Sequence, residues 1–156
     1  MHFSAAFHAV AALAVTAAAL AGSIADRNAD GTNVTSAVIS QAGMAHWLAT
    51  TDAELTFIGN GTTFELLDKR AAQSTIVTFC TKRIGPVCGG SCTVYTGGAT
   101  CLDTNGTVCF TATRDVGFCD AAHCNGDCSV LSQCSEPLPD GFCAAPIIDS
   151  ILVSAL

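Results

Sequence analysis

The residues best equipped for chemistry are ten cysteines, Cys80, Cys88, Cys92, Cys101, Cys109, Cys119, Cys124, Cys128, Cys134 and Cys143, with His123 beside one of them. Cys88-x3-Cys92 and Cys124-x3-Cys128 have the spacing of zinc ligands, and His123 could add a ring nitrogen. Metal binding needs free thiolates, whereas an oxidising compartment turns the same thiols into disulfides. A second chemistry would use His123 as a base for Ser91 or Ser129, with Asp115, Asp120 and Asp127 nearby in the chain. Neither serine sits in a nucleophile elbow or a comparable geometry-setting motif. The expectation is therefore ten disulfide cysteines, no catalytic residue, no metal and no cofactor.

The compartment is read from the N-terminus. An apolar run from Ala9 to Ala21 offers small residues at cleavage-compatible positions, Ala19-Leu20-Ala21 at its end or Ser23-Ile24-Ala25 just after it. This pattern predicts a signal peptide over residues 1–21, with cleavage as late as residue 25, and hence a secreted, extracellular protein. Its first residues include His2 and His8 but no Lys or Arg. The run falls short of a comfortable membrane span, so stable membrane insertion is not expected. The stretch 146–156 is short and interrupted by Asp149, and it reads poorly as a lipid-anchor tail.

Residues 22–70 contain no cysteine, carry sequons at Asn33 and Asn60, and end in Leu67-Asp68-Lys69-Arg70. They read as a pro-region cut after the dibasic pair Lys69-Arg70 by a kexin-type protease. The segment from Leu55 to Thr63, followed by Leu67 to Arg70, resembles the leader of yeast mating-factor precursors, which implies processing alone. A cut there leaves residues 71–156, where loss of Ala71-Ala72 would free Gln73 to cyclise. The second dibasic pair, Lys82-Arg83, lies between Cys80 and Cys88 and is expected to survive, shielded by a bridged loop. Within the pro-region Val34, Val38, Ala42, Ala45 and Leu48 recur near helical spacing. Thr56–Ile58 and Thr62–Leu67 look like strands around the turn Gly59-Asn60-Gly61.

The elements that hold the cysteines must be short. The spacing divides into two five-cysteine units, Cys80 to Cys109 and Cys119 to Cys143, sharing the words Phe79-Cys80 and Phe118-Cys119. Because five is odd, complete pairing requires at least one bridge between the units, so they belong to one domain. The connectivity itself stays open. Ser74–Phe79, Thr93–Thr96 and Thr107–Thr111 are β-branched or aromatic runs, and Gly97-Gly98 and Asn105-Gly106 offer positive-φ turn residues. Asn105 also heads a sequon, which places a glycan on a hairpin tip. The fold class expected is small, disulfide-rich and mainly β, with short strands and long loops. Each bridge in so small a domain contributes about 2–4 kcal/mol.

Charge narrows the partners. The whole chain carries a net charge of −7, and beyond residue 70 only Lys82, Arg83 and Arg114 are basic. Nucleic acid is excluded as a natural partner, and a cationic membrane-lytic role is disfavoured. Polysaccharide binding would want flat aromatic platforms, and the single Trp47 lies in the pro-region. Protease inhibition would use Lys82-Arg83 or Arg114 on a bridged loop.

The run from Ser74 to Cys92, with Gly117-Phe118-Cys119, Gly141-Phe142-Cys143 and Ser150-Ile151-Leu152-Val153, resembles small secreted cysteine-rich proteins of basidiomycete fungi. The absence of adjacent cysteines separates the chain from hydrophobins. The resemblance implies a non-enzymatic effector or signalling factor acting on an extracellular protein or glycan, and no catalytic residues. The alternatives are an inhibitor of an extracellular hydrolase and a binder of cell-wall carbohydrate.

Overall fold

The computed structural model of the chain describes residues 37–59 and 74–154, apart from the side chain of Ile147. All of these belong to one unit spanning Asn33–Leu156. The signal peptide, Asn33, Asn60, the expected strand at 62–67 and the dibasic pair Lys69-Arg70 lie outside the described residues.

Among the described residues, one α-helix and seven strands form the main elements: α1 Gln41–Thr50, β1 Glu54–Gly59, β2 Thr75–Ile84, β3 Val87–Gly97, β4 Thr100–Ala112, β5 Gly117–Ala121, β6 Asn125–Val130 and β7 Cys143–Val153. The strands form a single sheet in the order β1-β3-β2-β4-β7-β5-β6. This is the mainly β, disulfide-rich fold that composition implied, although several strands run longer than expected. Among the described residues no helix is long and apolar enough to cross a membrane.

Alternation along β2 explains why both faces of the sheet are covered. Ile76, Thr78 and Cys80 point to one face and Val77 and Phe79 to the other, and four of these five are buried. On the first face, Ile76 and Val94 pack with Met44 of α1, while Trp47 joins Cys80, Cys92, Leu138 and Phe142. On the second, Val77 clusters with Phe110, Ala112, Val116, Leu131 and Ile151. Phe110 also meets the ring of Phe118 edge-on at 5.3 Å.

The helix differs from the one that the spacing suggested. It begins at Gln41 because Ser40 caps it, its hydroxyl accepting a hydrogen bond from the Gly43 amide at 3.0 Å. Val38 lies before that cap, in a parallel bridge to Ala112. The buried stripe is Met44 and Trp47, with Leu48 half-buried, while Ala42 is exposed. Large side chains three and four positions apart outweigh alanines in choosing the buried face.

All ten cysteines form disulfides: Cys80–Cys92, Cys88–Cys109, Cys101–Cys124, Cys119–Cys128 and Cys134–Cys143. Cys101–Cys124 alone joins the two five-cysteine units, as parity required of at least one bridge. What the two units share is a hairpin. Cys80 opposes Cys92 across β2–β3, and Cys119 opposes Cys128 across β5–β6. Each strand pair slips register just after its first cysteine. Two residues before the second cysteine, Gly90 and Gly126 both adopt φ +80°, a left-handed conformation that favours glycine. In each hairpin a further cysteine, Cys88 or Cys124, ties the unit to β4. Beyond this the units diverge, since Cys134–Cys143 has no counterpart in the first.

Two expected turns are corrected. Asn105-Gly106 lies inside β4, not at a hairpin tip. Gly106, at φ +79°, takes up a bulge where the β4–β7 register shifts between Asp103 and Thr107, and Asn105 is exposed there. Gly97 does link β3 towards β4, but without a positive φ. A side chain at Gly97 would strike the ring of Tyr95, whose hydroxyl folds over it to donate to the Gly98 carbonyl at 2.8 Å.

Candidate functional site

The β2–β3 hairpin ends in a tight turn at Gly85-Pro86. Gly85 has φ +60°, and the proline ring holds its own φ near −65°. That sign combination defines a type II′ turn, whose twist matches that of the flanking strands. The turn makes Ile84 and Val87 directly opposed residues. They are 81% and 60% exposed, the two most exposed large apolar side chains among the described residues.

The tip is held from behind. Cys80–Cys92 pins the strands at a Cα separation of 4.1 Å, and Cys88–Cys109 ties β3 to β4. Arg83 donates from Nε to the Gly85 carbonyl at 2.7 Å, and from its guanidinium to Glu136 at 2.5 Å. The hydrogen bond from Arg83 holds the Glu136 carboxyl below the usual carboxylate range. The stem of Lys82 lies against Gly90, where an added Cβ would approach it at 2.8 Å. The result is a small rigid apolar knob with cationic groups behind it. Such a feature contributes to binding because little entropy is lost when it docks.

The other residues that sequence singled out are dispersed. Cys88, Cys92, Cys124 and Cys128 are each in disulfides, so none supplies a thiolate. Exposed His123 lies 3.3 Å from Asp103 through Nδ1, on a turn with φ +61°. Its amide also donates to Asp103, at 3.0 Å. Ser91 donates to Glu54 at 3.3 Å, and Asp115 and Asp120 accept from Ser132 and the Asp127 amide. These carboxylates cap loop and strand amides. Lys82-Arg83 lies in strand pairing opposite Gly89 and Cys88, inside the loop closed by Cys80–Cys92.

Sequence reading missed the apolar tip. Its signal was Ile84-Gly85-Pro86-Val87, a two-residue turn word between β-branched residues, which was overshadowed by the dibasic pair preceding it. No protein-family model, curated protein or solved structure matches this chain.

Proposed function

We propose that the protein is exported through an oxidising compartment and acts outside the cell as a non-enzymatic binding factor, of the effector or signalling kind seen in fungal secreted cysteine-rich proteins. The exposed Ile84–Val87 pair on a doubly bridged hairpin carries this reading. Its partner would be an extracellular protein with an apolar pocket bordered by an acidic group, complementary to Lys82. Five disulfides suit that environment.

Hydrolase inhibition is the second reading, favoured by the basic pair on a rigid hairpin. It is weakened because Arg83 is already engaged by Glu136 and Gly85. Carbohydrate binding has less support, since Trp47 is only 7% exposed and its ring packs at a tilt against Phe142, 4.9 Å between centroids.

The test compares labelled secreted protein with the double variant I84D/V87D for binding to cells of organisms that share the native habitat. At least a tenfold loss of binding, with unchanged thermal stability, is expected. Equal binding by both proteins would overturn the tip as the contact. Stoichiometric inhibition of a trypsin-like protease by both would favour the second reading.

A further inference from the structure

The segment 37–59 has no cysteine and lies upstream of the expected cut, yet it contributes to all three apolar clusters of the fold. Ala37 and Val38 enter the first, Trp47, Leu48, Ala53 and Leu55 the second, and Ile39, Met44, Leu48, Leu55 and Phe57 the third. Its contacts reach three separate places on the cysteine-bearing part. At its start, the Ala37 carbonyl accepts from the Thr111 hydroxyl at 3.2 Å, and the Ile39 amide donates to the Ala112 carbonyl at 2.9 Å. In the middle, Met44 is fully buried, with the Thr78 hydroxyl 3.3 Å from its sulfur, and Trp47 packs at a tilt against Phe142. At its end, β1 pairs in parallel with β3 from Glu54 opposite Ser91 to Gly59 opposite Thr96.

We propose that residues 37–59 are a permanent non-covalent subunit of the mature protein: a cut anywhere in 60–73, including after Arg70, yields two chains that stay together. The processing reading enters only as the reason why a cut would occur. The surface that receives the segment consists of the outer edge of β3 and the face bearing Ile76, Thr78, Val94, Leu138 and Phe142. Without the segment, that face would be bare and β3 would be an open edge, a combination that promotes aggregation. A buried Trp side chain such as Trp47 is the kind of anchor that dominates an interface, and the fully buried Met44 packs beside it on the same helix face. The geometry does not depend on the link. Gly59 and Thr75 both lie at the Thr96–Gly97 end of β3, two strand spacings or about 10 Å apart. The intervening residues exceed that distance easily. Cutting them removes the tether's effective concentration, of about millimolar order for a short link, and leaves the interface contacts in place.

The experiment uses the oxidised precursor, purified intact and digested with a dibasic-specific endoprotease. A second preparation carries a sequence-specific protease site inserted after Arg70, so that a cut is obtained whether or not the native pair is recognised. Native mass spectrometry and size-exclusion chromatography at low micromolar concentration follow. The expected result is one species with the summed mass of both chains, which urea separates without any reductant. Recovery of the cysteine-bearing chain alone under native conditions, from either preparation, would overturn the proposal. Failure of the natural pair to be cut, with retention after the engineered cut, would overturn the processing reading and support the subunit.

Discussion

The β2–β3 and β5–β6 hairpins begin from the same plan and end in different surroundings. Both have a cross-strand disulfide at 4.1 Å Cα separation, a register slip, and a glycine at φ +80° two residues before the second cysteine. Around β2–β3, α1 covers one face and β1 completes the outer edge. Every residue of β6 is exposed, and β6 is the last strand of the sheet. The bridge and the glycine therefore suffice to form a hairpin, while its burial depends on what the rest of the chain supplies. In the first hairpin the supplier is the cysteine-free segment, and this makes that segment part of the fold.

The largest effect that would separate the two hairpins is removal of the side chain that roofs the first. Trp47→Ala should lower stability by about 3–5 kcal/mol, as for other large core truncations, whereas Val130→Ala on β6 should cost under about 0.5 kcal/mol. Chemical denaturation of the oxidised precursors measures both. Similar losses would mean that the roof over β2–β3 is not a packed core.

The shared glycines should behave alike. Gly90→Ala and Gly126→Ala each force a side chain into left-handed backbone, at about 1–3 kcal/mol. Gly126 should lie at the upper end, because its new Cβ would collide with the Asp120 oxygen that accepts from the Asp127 amide. At Gly90 the obstacle is the flexible Lys82 stem. A neutral Gly126→Ala in thermal unfolding would break the equivalence of the hairpins.

The smallest effect concerns the Arg83–Glu136 pair, which links the first hairpin to the segment before β7. Folding lowers the Glu136 pKa, so the folded state binds this proton less readily than the unfolded chain. The pair's contribution is present above the unfolded carboxylate pKa and is lost as pH falls through the lower, folded value. Glu136→Gln should flatten that acid-side loss slightly, as followed by melting temperature against pH. An unchanged profile would show the pair to be idle.

Much of this was legible before the fold was known. The β-branched or aromatic runs at 74–79, 93–96 and 107–111 overlap β2, β3 and β4, and cysteine parity demanded the cross-link that Cys101–Cys124 provides. β5 and β6 escaped notice because Gly117–Ala121 and Asn125–Val130 contain few strand-forming residues. Their pairing coincides with Cys119–Cys128 and the capping Asp120 more than with propensity. Absence of cysteine marked 22–70 as separate, but disulfide content does not report burial. Trp47 and Met44 were the apolar side chains that could have suggested docking, at a spacing that only a helix turns into one face. The apolar tip at Ile84 and Val87 was hidden for the opposite reason, since exposure of β-branched residues cannot be read from their identity.

The central claim, that the edge of β3 is filled by β1 while the outer edge of β6 has no partner strand among the described residues, can be tested by amide hydrogen exchange on the uncut, oxidised protein. Slow exchange is expected throughout Cys92–Thr96, where both sides of the strand are paired, with slow and fast amides mixed along Asn125–Val130. Equally fast alternate amides in the two strands would contradict the account, because β1 would then not be holding the edge that makes residues 37–59 part of this protein.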